Sequence, residues 1–303
     1  MFELIFLGTS ASAPSVLRNV TSTLLLHREY RFLIDAGEGT QRQLLKSGAG
    51  FRKLEHILLT HDHLDHILGL AGLVSTFSRW DIERSNLNIY GATQTLQRVR
   101  DLVLGVALRG QRSRLWVEFK NLKGGLFFED AKFQISAFPV QHRGSQSLGY
   151  LFETKPRRPF LNERAEALGV PFGPERSLLV RGEKITLADG RVISPDDVLG
   201  PSIAGKKLVY VGDVDNPAPL LDIARDADAL VIEATYAEQE ADMVHTHGHI
   251  TARMAATFAR DANVKALYLN HISRRYNGRE LQAQAREVFA NAVVVRDFDR
   301  VSV

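Results

Sequence analysis

The chain has 303 residues, of which 45% are hydrophobic, so it can bury a sizeable core and wholesale disorder is excluded. It contains no cysteine, which excludes disulfides, zinc–thiolate sites and a cysteine nucleophile and is consistent with a reducing, cytoplasmic location. The formal net charge of +3 is compatible with a polyanionic partner but does not by itself indicate one. No apolar run reaches the roughly 18 residues that a membrane helix needs, so we expect no membrane association.

The first half of the chain is predicted to alternate between strands and helices. Residues 2–7 lack the positive flank and cleavage site of a signal peptide and are predicted to form a strand. Apolar runs indicate further strands, and helical spacing of apolar residues indicates helices. Thr40 is placed to cap the first helix. These elements are strands at 21–26, 30–34, 54–59, 86–91, 133–140 and 147–153, and helices that begin near Thr40 and Ile67 and span 93–108.

The composition changes between residues 154 and 204. This segment holds six of the ten prolines, several glycines and only short apolar pieces. A weakly structured insertion of this length is usually functional or disordered. Regular patterning then returns, with strands at 207–211, 229–232 and 265–269 and helices at 251–260 and 278–289. We therefore expect one α/β domain over residues 1–303 that carries an inserted arm at about 154–204.

A histidine- and aspartate-rich motif lies between two apolar segments, at Thr60-His61-Asp62-His63-Leu64-Asp65-His66. A strand is predicted before the motif and a helix after it, so the motif occupies a strand-to-helix loop. Neutral imidazole and carboxylate are ligands that a zinc-like divalent ion prefers. A solvated polar turn is the alternative, but it gives no reason for the strongly apolar segments on both sides.

Four candidate ligands each follow an apolar strand directly: His61, His142, Asp213 and His271. Ligands in α/β folds gather just beyond the carboxyl ends of strands. Each residue alone has a structural interpretation, as a hydrogen-bonded histidine or a turn aspartate. Their joint occurrence, together with the other motif residues, favours a metal site.

The spacing His-x-His-x-Asp-His resembles the signature of the metallo-β-lactamase superfamily. Further segments resemble the ribonuclease Z family of tRNA 3′-processing endonucleases, and together they cover nearly the whole chain. Within the insertion, two segments resemble the flexible arm, or exosite, with which that family grips the tRNA elbow. The resembling segments are 7–11, 18–19, 37–43, 139–143, 148–153, 168–174, 181–183 and 271–276.

The resemblance implies a four-layer αβ/βα sandwich with a protruding flexible arm. It also implies two divalent metal ions, with zinc as the expected metal and manganese as the alternative. The expected ligands are His61, His63, His142 and Asp213 for one ion and Asp65, His66, Asp213 and His271 for the other, with Asp213 bridging. The implied substrate is precursor tRNA, the implied assembly is a homodimer whose arm serves the partner's active site, and no nucleotide cofactor is expected.

The resemblance also suggests roles in phosphodiester hydrolysis. Asp65 would orient or deprotonate the attacking water. His249 would donate to the leaving 3′ oxygen or stabilise the phosphate, and Glu233 would orient His249. His245 and His247 are expected to be solvated, because the ligand set is complete without them. A supporting role is expected for Asp35, and structural roles are expected for His27 and His56.

Three positions depart from the family pattern, namely Ser177 in the arm, Ile232 before Glu233 and Ile250 after His249. They leave the ligand set intact, so hydrolysis is expected and any effect should fall on the preference for tRNA. One alternative is a broader phosphodiesterase or exoribonuclease that uses the same ions. Another is a non-catalytic RNA-binding module with a structural metal site. A hydrolase of lactams or thioesters would leave the arm unexplained.

Overall fold

A computed structural model of the chain describes residues 1–79, 86–110 and 113–303. The chain divides into two compact units. The larger unit comprises Met1–Glu153 and Lys206–Val303, and the smaller unit comprises Thr154–Gly205. Within the described ranges, no helix is both long and apolar enough to cross a bilayer.

The larger unit contains two seven-stranded sheets. The strands of the first sheet are β1 (Glu3–Gly8), β2 (Ser22–His27), β3 (Tyr30–Ile34), β4 (His56–Leu58), β5 (Asn86–Gly91), β6 (Trp116–Asn121) and β16 (Arg300–Ser302). Their order is β16-β1-β2-β3-β4-β5-β6. β3 to β6 run parallel, so β3 and β4 have their carboxyl ends at the same edge.

The second sheet has the same number of strands. They are β7 (Gly125–Glu129), β8 (Phe133–His142), β9 (Ser145–Thr154), β12 (Lys207–Tyr210), β13 (Ala229–Glu233), β14 (Leu267–Asn270) and β15 (Ala292–Val294). Their order is β15-β14-β13-β12-β9-β8-β7. β12 to β15 run parallel, and β9 joins β12 in antiparallel register.

Helices cover the outer face of each sheet. Over the first sheet lie α1 (Thr40–Lys46), α2 (Leu64–Ile67), α3 (Leu70–Arg79) and α4 (Thr93–Arg100), and α4 continues as a π-helix over Asp101–Ala107. The helices that follow β12 are α8 (Leu221–Ala224), α9 (Asp242–His247), α10 (Ala252–Asp261) and α11 (Gly278–Arg286), with 3₁₀ turns at Ala218–Leu220 and Glu238–Glu240.

The alternation of side chains along the strands produces the layers. On β1, Leu4 and Phe6 point into the core between the sheets, whereas Ile5 and Leu7 point to the helices. Because both faces of β1 are buried, its residues from Leu4 to Leu7 are apolar without a break and do not alternate with polar residues. A third apolar cluster lies under α10 and α11. The predicted α/β four-layer sandwich is confirmed.

The smaller unit is more ordered than its composition indicates. It contains α5 (Asn162–Ala167), α6 (Pro174–Val180), α7 (Pro195–Val198) and a hairpin of β10 (Ile185–Thr186) with β11 (Val192–Ile193). These short elements surround an apolar cluster of their own. The fully buried members of that cluster are Ala165, Leu179 and Val198.

The structure differs from two local predictions, the helix over 93–108 and the helix cap at Thr40. The helix predicted over 93–108 is present, but beyond Arg100 it has the wider π geometry, in which Leu108 N donates to Val103 O. The predicted capping by Thr40 is wrong. Gly39, at φ +79°, takes the N-cap position, and the Thr40 hydroxyl donates instead to Gly37 O at 2.7 Å.

Candidate metal centre

Strands from both sheets deliver polar side chains to one cluster. β4 leads into the 61–66 motif, β8 ends at His142, and β12 and β14 lead to Asp213 and His271. Asp213 lies at the centre. Its Oδ2 is 3.6, 3.5 and 3.8 Å from the Nε2 atoms of His61, His66 and His142. Its Oδ1 is 3.4 Å from His271 Nε2.

Asp65 and His63 complete the cluster. Asp65 Oδ2 lies 3.3 Å from His271 Nε2 and 3.6 Å from His66 Nε2. His63 Nδ1 lies 3.4 Å from His142 Nε2. The structure therefore brings together all seven residues predicted as metal ligands. Their donor atoms fall into groups spanning at most 4.8 Å: His61, His63, His142 and Asp213; Asp65, His66 and His271; and Asp213, His249 and His271.

In four histidines of the cluster, the ring nitrogen that faces away from Asp213 is held by a hydrogen bond. His66 Nδ1 donates to Asp35 Oδ2 at 2.8 Å, His142 Nδ1 to Gly248 O at 2.8 Å and His271 Nδ1 to Thr235 Oγ1 at 2.9 Å. The fourth contact joins His61 Nδ1 to Thr60 Oγ1 at 3.0 Å. An Nδ1 proton directed outward leaves the Nε2 lone pair directed inward, which is the arrangement that metal-binding histidines need.

The inward-facing atoms fit a divalent cation. The Nε2 atoms of His66 and His271 lie 3.4 Å apart, and both face Asp213. His61 Nε2 and Asp213 Oδ1 are buried and make no hydrogen bond within the described residues. Such unpaired buried atoms need an explanation. Imidazole nitrogen and carboxylate oxygen suit zinc-like ions, so the cluster can hold metal ions.

Burial and neighbouring charges set the protonation of the cluster. Burial lowers the pKa of His61 well below its ordinary value, and His66 lowers it further. Burial opposes the ionisation of Asp213 and Asp65, but His66 and His271 outweigh burial and hold both pKa values below their usual range. At neutral pH the carboxyls are therefore ionised and His61 is neutral, which are the forms that ligate metal. Burial opposes the charged form of His66, but Asp213, Asp65 and Asp35 outweigh burial and raise the pKa of His66 well above its ordinary value, so a metal ion there would displace a proton.

His249 and Glu233 lie beside the ligands. His249 Nδ1 is 3.0 Å from Glu233 Oε1 and 3.9 Å from Asp213 Oδ2. Burial would lower the pKa of His249, but the Glu233 carboxylate outweighs it and raises that pKa to about 9. Glu233 also accepts hydrogen bonds from Val214 N at 2.8 Å and Thr235 Oγ1 at 2.5 Å. Thr235 thus links Glu233 to His271, one of the predicted ligands.

The departures from the family pattern at Ile232 and Ile250 place apolar side chains outside this contact, and the Ile250 amide donates to Glu233 Oε2 at 3.4 Å. Both side chains are fully buried in the apolar cluster under the helices of the second sheet. Glu233 points the other way, because successive residues of β13 face opposite sides, and His249 contacts it there. The two isoleucines therefore leave the Glu233–His249 pair intact.

The remaining histidines lie in other surroundings. His27 packs against Phe2 and Phe133, and His56 Nδ1 is 3.3 Å from the Tyr90 hydroxyl. His247 Nδ1 donates to Met243 O at 3.2 Å on α9. His245 is on the same helix, and its side chain lies outside the described part of the structure.

Sequence reasoning did not find several supporting groups. Thr60, Thr235 and the Gly248 carbonyl form hydrogen bonds with histidines that are predicted ligands, and the Ser12 amide donates to Asp65 Oδ2 at 2.8 Å. Only Thr60 carried a signal, because it directly precedes His61. Every residue has a backbone carbonyl, and every residue except proline has a backbone amide. The sequence therefore could not show that Gly248 and Ser12 would supply these contacts.

The fold and the cluster place the chain in the beta-lactamase superfamily. The "Beta-lactamase superfamily domain" family model matches residues 170–272, and the model described as "Anti-Pycsar protein Apyc1" matches residues 2–158. The crystal structure of the short form of human tRNase Z has the same fold, with a TM-score of 0.68 at 24% identity, over 99% of this chain and 98% of that one.

Full-length relatives identify the family. Ribonuclease Z of Bradyrhizobium diazoefficiens is 46% identical over 305 residues, which is 100% of both chains. Ribonuclease Z of Archaeoglobus fulgidus is 39% identical over 307 residues, which is 100% of this chain and 98% of the relative. The chain belongs to the ribonuclease Z family, as its motifs predicted.

Proposed function

We propose that this chain is a metal-dependent endoribonuclease that removes the 3′ trailer from precursor tRNA in the cytoplasm and leaves a 3′-hydroxyl on the tRNA. The observation that supports the proposal is that seven candidate metal ligands come together at one edge of the fold. The chain that carries them has full-length relatives named ribonuclease Z. Phosphodiester hydrolysis is the chemistry that such a centre suits.

The donors divide naturally between two ions. His61, His63, His142 and Asp213 would hold one, and Asp65, His66 and His271 would hold the other together with Asp213. The nitrogen-rich donor set favours zinc, with manganese as the alternative. When bound, such ions acidify water and screen the negative charge of a phosphodiester.

Asp65 is the proposed general base. Its Oδ2 already accepts a hydrogen bond from Ser12 N at 2.8 Å, which fixes the orientation of the carboxylate. An ionised, oriented carboxylate at the rim of the cluster can accept the proton of an attacking water. The hydrogen bond from Ser12 therefore keeps the Asp65 carboxylate in one orientation, in which it can position the water as well as accept its proton.

His249 is the proposed donor to the leaving 3′ oxygen. Its Nδ1 proton is bound to Glu233, so Nε2 is the nitrogen that remains for the substrate. Glu233 would act only through His249, as a positioning residue, because it is fully buried and its oxygens are occupied by Val214, Thr235 and His249.

The smaller unit is the proposed exosite for tRNA. Its cations can contact phosphates, which would make binding salt-dependent. Several of these cations already have partners within the unit. Arg158 pairs with Asp196, Arg176 stacks on Phe172 with 3.6 Å to the ring centre, and Arg181 Nε donates to Ser177 O at 3.3 Å. The candidate phosphate contacts are Lys155, Arg157, Arg158, Arg176, Arg181 and Lys184, and nearby acids at Glu163, Glu166, Glu175 and Glu183 weaken their field. We further propose that the chain forms a homodimer.

Incubation of the zinc- or manganese-loaded protein with a precursor tRNA tests the proposal. We expect one cut at the start of the trailer, with a 3′-hydroxyl on the tRNA and a 5′-phosphate on the trailer. Hydrolysis of bis-p-nitrophenyl phosphate without cleavage of the precursor would instead favour the broader phosphodiesterase. Bound metal without hydrolysis of either substrate would favour a non-catalytic module.

A further inference from the structure

A cavity lies between the first sheet and the segment that follows α1. It has a volume of about 760 Å³, which is within the usual range of small-molecule sites. Its walls come from the start of β1, the end of β2, the start of β3, both ends of β16 and residues 48–53. The metal-ligand cluster lies at the opposite end of the sheet, beyond the residues at which β3 and β4 end. The cavity is therefore separate from the proposed active site.

The cavity carries a surplus of positive charge. Five cationic and two acidic side chains line it, so its surplus of three charges equals the formal net charge of the whole chain. The acids are Glu3 and Glu29. Among the described residues, Arg300 is the only one of the five cations that pairs with an acid, and its distance from Glu3 is 2.9 Å. The cations are Arg28, Arg31, Arg52, Lys53 and Arg300. A concave surface of this kind concentrates anions.

Two of the cations occupy backbone positions that favour glycine. Arg28 is the first residue of the two-residue turn between β2 and β3, and its φ is +56°. Lys53 is the third residue of the turn in which Leu54 N donates to Phe51 O at 3.2 Å, and its φ is +60°. A residue with a Cβ is strained in this left-handed conformation, whereas glycine is not. Two strained positions that both bring a cation to one cavity point to a role for those charges.

Arg31 holds the segment that carries two of the other cations. Its guanidinium donates to Arg52 O, to Ala49 O at 2.9 Å and to Gly50 O at 3.1 Å. These acceptors are uncharged carbonyls, so they fix the segment without neutralising the charge of Arg31. Because the cations are already held in place, an anion that binds them loses little conformational entropy in ordering the site.

We propose that this cavity binds a small organic phosphate, with the cations at the phosphate and an apolar wall at the organic part. Ile5 and Leu26 supply that wall. A phosphate offers charged acceptors to several cations at once, and arginine is well suited to binding it. Free phosphate shares the anionic half of this chemistry, so the experiment compares the two. RNA fits less well, because the cations surround one cavity and form no track along which a backbone can run.

Equilibrium dialysis of the zinc-loaded protein against phenylphosphonate and against inorganic phosphate tests the proposal. The variant is Arg28→Gly combined with Lys53→Gly, which removes two charges and relieves both left-handed positions. We expect the wild type to bind one phenylphosphonate per chain that survives Asp213→Ala and is therefore not at the metal centre. The glycine variant should bind this phenylphosphonate more weakly by about tenfold or more, and its melting temperature without ligand should not fall. Inorganic phosphate should bind the same site more weakly than phenylphosphonate, because it has no apolar part.

Two control variants separate a specific site from a general effect of charge. Arg28→Lys combined with Lys53→Arg keeps both charges and should bind as the wild type does. Arg260→Ala combined with Arg279→Ala removes two exposed cations on α10 and α11 and should also leave binding unchanged.

The proposal is overturned if the glycine variant binds phenylphosphonate as tightly as the wild type, or if the variant on α10 and α11 loses as much affinity. It is also overturned if inorganic phosphate binds as tightly as phenylphosphonate. Displacement by precursor tRNA of the phenylphosphonate that the glycine variant lacks would show that the cavity belongs to an RNA-binding surface instead.

Discussion

Glu233 Oε1 accepts a hydrogen bond from His249 Nδ1 at 3.0 Å, and Glu233 itself is only 1% exposed. This contact fixes the imidazole beside Asp213 without joining it to the seven predicted ligands. The proposed function therefore assigns two roles that can be tested separately: His249 would act on the substrate, and Glu233 would act through His249.

Replacement of His249 tests the first statement. We expect His249→Ala to lower kcat on precursor tRNA by about 10²- to 10⁴-fold, the usual contribution of general acid–base help, while the metal content stays unchanged. Glu233→Gln should lower kcat less, and the double variant should be no slower than His249→Ala alone. Turnover and elemental analysis are the measurements. Wild-type turnover of His249→Ala, or additive losses in the double variant, would contradict these roles.

Asp213 is expected to be indispensable for metal binding. Both of its oxygens face histidine nitrogens at 3.4 to 3.8 Å, so Asp213→Ala should lose metal and activity together. The measurement is metal content per chain after gel filtration. Asp222→Ala is the control, because Asp222 is exposed and pairs with Arg225 on the surface. An Asp213→Ala protein with the metal content of the wild type would show that this carboxylate is not a ligand.

The smaller unit should be removable without loss of the metal centre. Glu153 and Lys207 are direct register partners on β9 and β12, so a short Gly/Ser linker can join the strands across the excised residues 154–205. We expect the shortened protein to fold, bind metal and hydrolyse bis-p-nitrophenyl phosphate. Its cleavage of precursor tRNA should fall sharply, because remote binding energy positions the scissile bond.

Two outcomes would contradict that expectation. If the shortened protein cuts precursor tRNA as well as the full chain, the smaller unit is not an exosite. If it stays folded but loses hydrolysis of the small ester, the unit contributes to the active site itself. Circular dichroism and metal content establish that the shortened protein is folded before either comparison.

His56 should make stability depend on pH. Burial lowers the pKa of this histidine to about 4, whereas the unfolded chain has a value near 6.5. Between these values the unfolded state binds a proton that the folded state does not, so stability is lost as the pH falls from 6.5 towards 4. The loss from this group is on the order of 2 kcal/mol.

Replacement of His56 by phenylalanine removes this titration and keeps an aromatic ring beside Phe32 and Phe128. We expect the free energy of unfolding of His56→Phe to fall less than that of the wild type between pH 7 and pH 5. Denaturant unfolding at both pH values, at one fixed zinc concentration, gives the difference. Parallel losses in the two proteins would show that His56 is not responsible.

The sequence by itself determined the α/β class and the ligand types. Apolar runs predicted the strands on which both faces are buried, such as β1, β12 and β13, and polar residues directly after strands predicted the site. It did not reveal β6 and β7, because their side chains are partly exposed and form no apolar run. The three-residue strands β15 and β16 are too short to carry a periodic pattern.

Tertiary structure alone decided how the site is supported. Asp35 reaches His66, Thr235 reaches His271, and the Gly248 carbonyl reaches His142 over 31, 36 and 106 residues of sequence. It also decided that Ile232 and Ile250 belong to the apolar core and that residues 154–205 pack around a small core of their own. Periodicity and composition report which face of a helix or strand is buried. A hydrogen bond between residues distant in sequence depends instead on which strand ends lie side by side in the folded sheets.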